Sequence, residues 1–168
     1  MSFWDFLKNN KKGEQPISEE IYTKPEVADE KKSTGIYQLY SVLDRDNEQK
    51  GYDDALINPD STQMDMGLSI IKDQLNRSID EVKIYYEDFL REIDFHIESR
   101  RANAMVTTVE ELTMKKEIGQ EHLERVKEIE LQCANGKFKD MGMAMTYVRG
   151  FQKGLAAISA TEINKYHH

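Results

Sequence analysis

Disulfides are the first thing this sequence cannot use. Its single cysteine is Cys133, so no bridge can close within the 168-residue chain. That fits a reducing compartment. Proline is scarce too, at three residues, and two of them fall before residue 26. Long apolar runs are missing: none approaches the roughly 18 residues that a membrane span needs. The opening Met1–Asp5 lacks the basic stretch and apolar core of a secretory signal. Together these absences predict a cytoplasmic protein.

Basic charge is also short. Lys and Arg number 23 against 31 Asp and Glu, for a net charge of −8. The imbalance is uneven: residues 1–12 carry +2, 13–60 carry −7, 61–134 carry −6 and 135–168 carry +3. Nucleic acid is not expected as a partner, because phosphate binding needs a concentrated basic patch. The basic C-terminal segment is expected to lie against the acidic part of its own chain or of a neighbour.

Chemistry-bearing patterns are missing as well. A helical di-iron site needs Glu-x-x-His on facing helices. Three residues before His96 and His122 stand Ile93 and Gly119. Glu92 and His96 share a face, but two ligands do not make a metal site. Asp44-x-Asp46-x-Glu48 begins like a calcium loop, yet its sixth position is Gln49 and its twelfth is Ala55. No phosphate-binding loop appears, and Cys133 has no histidine beside it. No catalytic, metal or cofactor-binding residue is assigned, and a non-enzymatic protein is expected.

What the sequence has is one sustained helical stripe. Leu68, Ile71, Leu75, Ile79, Val82, Tyr86, Leu90, Ile93 and Ile97 recur at steps of three and four. They predict a long helix over about 60–101, opened by Pro59 at a first helical position and Asp60 as cap. A turn near 101–107 is expected, with Thr108-x-x-Glu111 capping a second helix over about 108–134; no Gly or Pro enforces the break, and the alternative is one unbroken helix to Cys133. Its inward candidates are Val109, Leu112, Ile118, Leu123, Val126, Ile129 and Cys133. Asn135-Gly136 ends it, since both tolerate the left-handed conformation.

The last helix is expected over about 137–165. Phe138, Met141, Met145, Val148, Leu155 and Ile163 form its apolar arc. A separate ridge of Gly142, Thr146, Gly150 and Gly154 recurs every four residues. Such spacing predicts close approach by another backbone, offsetting the helix propensity the glycines lose. Before the long helix, Ile36, Leu39, Tyr40 and Leu43 predict two helical turns. Residues 44–51 read as a polar loop, and Tyr52, Leu56 and Ile57 are expected to pack on the long helix.

The N-terminal end reads differently. Phe3, Trp4, Phe6 and Leu7 share one face of a short amphipathic helix at 1–12, joined by an acidic flexible linker at 13–34. Those four residues are the expected docking surface, for a protein partner or, in a second reading, for a membrane surface. The fold class that emerges is all-α: a long antiparallel helical hairpin, three-helix bundle or coiled coil, with a mobile N-terminal arm. The stripe exceeds what two further helices cover, which predicts a homo-oligomer acting as scaffold or adaptor for a protein partner.

Overall fold

The computed structural model describes residues 34–165. The amphipathic element with Phe3, Trp4, Phe6 and Leu7, nearly all of the linker, and His167-His168 lie outside the described residues. Among the described residues all regular structure is helical. Five α-helices follow in order: α1 (Ile36–Leu43), α2 (Glu48–Ile57), α3 (Ser61–Ala102), α4 (Val106–Ala134) and α5 (Gly142–Lys165), with a 3-10 turn (Lys137–Asp140) before the last.

Helix α3 spans 42 residues, about 63 Å at 1.5 Å per residue. Its stripe explains why it persists. Leu68, Ile71, Leu75, Ile79, Val82, Tyr86, Ile93 and Ile97 are all buried, and Leu90 is half-buried. Asp60 caps the helix, its carboxylate accepting the Thr62 N–H at 3.2 Å. That bond holds the Asp60 carboxyl below its ordinary value. Pro59 therefore sits one residue before the cap, outside the helix.

A turn at Asn103–Met105 ends α3, with Ala104 at φ 56°. Helix α4 then starts at Val106, so Thr108 stands inside it and caps nothing. Three contacts show α4 returning along α3: Asp94 with Lys116 at 2.7 Å, Tyr86 with His122 at 2.8 Å, and Lys83 with Glu130 at 2.8 Å. Leu112, Leu123, Val126, Ile129 and Cys133 face inward, together with Gly119, against which Phe89 packs. Ile118 is exposed, not inward, because the glycine beside it takes the contact.

Two stretches depart from the sequence reading. Of the expected loop at 44–51, residues 48–51 begin a helix that runs to Ile57, and Leu56 and Ile57 at its end are exposed instead of packed on α3. The last helix begins at Gly142, after the 3-10 turn and an extended Met141. Its buried side is Met143, Ala144, Tyr147 and Phe151, while Met145 and Ile163 of the expected arc are exposed. The cause is the partner: α5 packs mainly on α2, and the glycine side makes that contact.

One chain covers the stripe by itself. Ile36 and Leu39 of α1, Leu123 to Cys133 of the inward side of α4 and Tyr147 and Phe151 of α5 join its Leu68–Tyr86 part in one core, and Ile93 and Ile97 are buried beyond it. The length of the stripe is therefore no longer an argument for a second copy; any such argument must come from another surface.

Candidate interaction surface

The α2–α5 contact is built from main chain. A Cβ at Gly150 would overlap the carbonyl oxygen of Glu48, and one at Gly51 would overlap the carbonyl oxygen of Tyr147. At Gly154 a Cβ would come within 2.6 Å of the Ala55 Cβ and 2.8 Å of the Tyr52 carbonyl oxygen. Two helices thus meet without side chains between them. Gly142 does not belong to this contact: a Cβ there would meet only the Leu43 carbonyl oxygen, at an ordinary 3.8 Å. Thr146, also on the ridge, instead accepts the Asn47 N–H at 3.0 Å. The buried Asn47 amide donates to the Met143 carbonyl at 3.0 Å.

Charged and polar side chains close the same junction. Glu48 bonds Lys153 and Arg149, and both hydrogen bonds hold its carboxyl below the ordinary glutamate value. Tyr147 is fully buried, and its hydroxyl donates to Asp54 at 2.9 Å. Burial, with the Asp54 carboxylate beside it, pushes the Tyr147 phenol up. Lys50 completes the group, 3.1 Å from Asp54. The ring also needs Gly67 on α3, where a Cβ would overlap the Tyr147 hydroxyl. The basic segment thus pairs with acidic residues of its own chain.

Helix α1 is latched to one flank of the α3–α4 pair. The Tyr86 hydroxyl accepts the Ile36 N–H at 3.1 Å and bonds His122 Nδ1 at 2.8 Å. Having accepted from the backbone, that hydroxyl can give its proton to the histidine nitrogen. Gln38 donates to Glu81 at 3.0 Å on the same flank. His96 lies 3.7 Å from Glu92, and no third ligand joins them among the described residues.

The other flank is open. At about 100° per residue, Glu81 and Tyr85 fall on one side of the buried stripe, whereas Asn76 and Asp80 fall on the other. Along that second side run three clefts that share residues. A cleft of about 380 Å³ lies between Met64 and Leu68 of α3 and Met145, Val148 and Arg149 of α5. The next, of about 280 Å³, shares Leu68 and Lys139 with it and reaches Lys72. The third, of about 330 Å³, shares Lys72 and continues past Asn76 and Asp80 to Glu130 and Cys133 of α4. They form one trough beside α3. Its floor includes buried Leu68, Ile79, Cys133 and Phe138, and Met145 is the most open apolar side chain on its wall, at 57% exposure. Burial pushes the Cys133 thiol up, which disfavours the reactive thiolate.

A further cleft, of about 540 Å³, lies elsewhere, between Tyr40, Arg45, Arg125 and the start of α5. Two of its polar groups already serve the fold: Arg125 pairs with Glu128 at 2.7 Å and Thr146 holds Asn47. The trough escaped sequence reading because Met145 and Val148 of its wall belong to the arc that periodicity marks as core. Among the described residues no helix is long and apolar enough to cross a membrane. No protein-family model matches the chain, and no curated protein or solved structure matches it either.

Proposed function

We propose that this chain is a non-enzymatic helical interaction protein, a cytoplasmic scaffold or adaptor that takes a helix of a protein partner into the trough beside α3. In this reading α3 and α4 form an antiparallel hairpin, α1 fills one of its flanks, and α2 with α5 completes a bundle. The observation that carries the reading is the unfilled second flank. Open apolar surface lies at its α5 end, where Met64, Met145 and Val148 stand beside Lys139 and Arg149, and polar side chains line the rest, a setting suited to an amphipathic partner helix. Two polar pairs of the interior, Tyr147–Asp54 and Tyr86–His122, join one helix to another. The N-terminal face of Phe3, Trp4, Phe6 and Leu7 is the second contact in the same reading.

The test places a photo-crosslinking amino acid at Met145, at Asn76 or at Arg91, on the solvated side of α3, in the cell that makes the protein. Discrete protein adducts are expected from Met145 and Asn76 and none from Arg91. Absence of adducts at both trough positions, or an equal yield at Arg91, overturns the reading.

A further inference from the structure

We propose that helix α1 is a strap with a proton-sensitive catch: uptake of a proton by His122 breaks the bonding that fixes its first turn and loosens it from the flank it covers. The proposal does not depend on the trough, which lies on the other side of α3.

The catch stands in for a missing cap. Gly35, the residue before α1, is at φ 68°, and no side chain of its own caps the helix. A buried helix start must find partners for its N–H groups elsewhere. The Ile36 N–H finds the Tyr86 hydroxyl, at 3.1 Å. Burial pushes the Tyr86 phenol up, so the hydroxyl keeps its proton. That proton needs an acceptor, and His122 Nδ1 lies 2.8 Å away. Donation thus runs one way, from Ile36 to Tyr86 to His122. It closes only on a neutral imidazole whose own proton sits on Nε2.

A second proton on the ring removes the acceptor. Nδ1 becomes a donor, the Tyr86 oxygen faces two donors, and its own hydrogen is left unpaired in a buried place. The new charge also stands beside the first turn of α1, where the helix dipole is positive. The surroundings do little to offset it. Tyr37 of α1 and Tyr86 of α3 meet the half-buried ring edge to face, with Tyr40 and Tyr85 behind them. On α4 itself Arg125, one turn on, is tied to Glu128, and on α3 Glu81 is bonded to Gln38. Among the described residues no carboxylate pairs with the ring.

The seat is imperfect further along as well. Gly35 against Tyr85 and Tyr86, then Gln38 against Glu81, set α1 antiparallel to α3. The same register carries its second half to Ser78, on the side of α3 that Glu81 and Tyr85 share. The buried Ser78 hydroxyl has no hydrogen-bond partner among the described residues. Ile36 and Leu39 are the buried apolar anchors of the strap, and both are uncovered when it lifts.

The experiment is amide hydrogen exchange on the full chain at about pH 7.5 and about pH 5.5, on either side of the ordinary histidine value and above those of carboxylates, with the intrinsic effect of pH divided out. Protection across α1 should fall roughly tenfold at the lower pH, as expected for one buried hydrogen bond lost, while Leu68–Tyr86 keeps its own. His122→Gln can accept from Tyr86 and takes up no proton, so it should hold α1 protected at both. Tyr86→Phe should leave α1 weakly protected at both. Wild-type protection that ignores pH overturns the proposal, as does strong protection in Tyr86→Phe. A fall of equal size in His122→Gln overturns it by assigning the titration to another group. A fall shared by Leu68–Tyr86 overturns it too, because the loss then belongs to the whole fold.

Discussion

Gly150 is the residue whose replacement is most informative. Its neighbour is the main-chain carbonyl of Glu48, which cannot move away as a side-chain tip could. Overpacking of this kind costs about 1–3 kcal/mol. Leucine would recover roughly 0.8 kcal/mol of helix propensity, too little to offset the larger part of that range. Gly150→Leu should therefore lower the melting temperature. Because Glu48 and Gly150 belong to one chain, the gap should not change with protein concentration. A raised melting temperature would show that nothing packs on Gly150. Glu48 itself gives a pH signature. Its folded-state pKa lies below the ordinary glutamate value. The stabilisation is thus complete above that ordinary value and is lost as pH falls through the lowered one. Melting temperatures of wild type and Glu48→Gln should differ most near neutral pH and converge in acid; a gap that stays constant into acid contradicts the pairing.

At the scale of elements, the turn at Asn103–Met105 explains why the division between α3 and α4 is hard to read. No glycine or proline marks it; Ala104 takes the left-handed conformation instead. That conformation costs an alanine roughly 1–2 kcal/mol, and glycine's extra freedom in the unfolded chain returns about 0.5–1 of it. Ala104→Gly should raise stability by up to about 1 kcal/mol, measured by urea denaturation, and a loss would count against the turn. The stripe of α3 is legible because one side is buried along its whole length. Helix α2 is not legible because its contact is made by Gly51 and Ala55, which carry no hydrophobic periodicity, while its apolar Leu56 and Ile57 face water. For α5 the same inversion applies. Side chains with large apolar surface read as core, yet absent side chains make the tightest contact, and the arc that looks inward includes the trough wall.

Across the described residues, packing is denser at one end of the long helix than at the other. Near Gly67 the long helix meets Tyr147, and near Tyr85 and Tyr86 it meets the start of α1. Toward Asn103 the turn residues and their neighbours Met105 and Val106 are exposed. Local opening should follow this gradient. Amide hydrogen exchange should be slowest from Leu68 to Tyr86, faster from Ile93 to Leu112, and fastest at the turn; the reverse order would contradict the packing described.

The α2–α5 contact also bears on how this sequence can diverge. Where two side chains touch, a larger one on one helix can be matched by a smaller one on the other, and related sequences record the exchange as paired changes. At Gly51 and Gly150 each glycine meets the opposite backbone, which has no smaller version. No second substitution can then repair the first. These two positions should stay glycine in any lineage that keeps the fold, without covarying partners, whereas Tyr147 and Gly67, which meet ring against backbone, are free to change together.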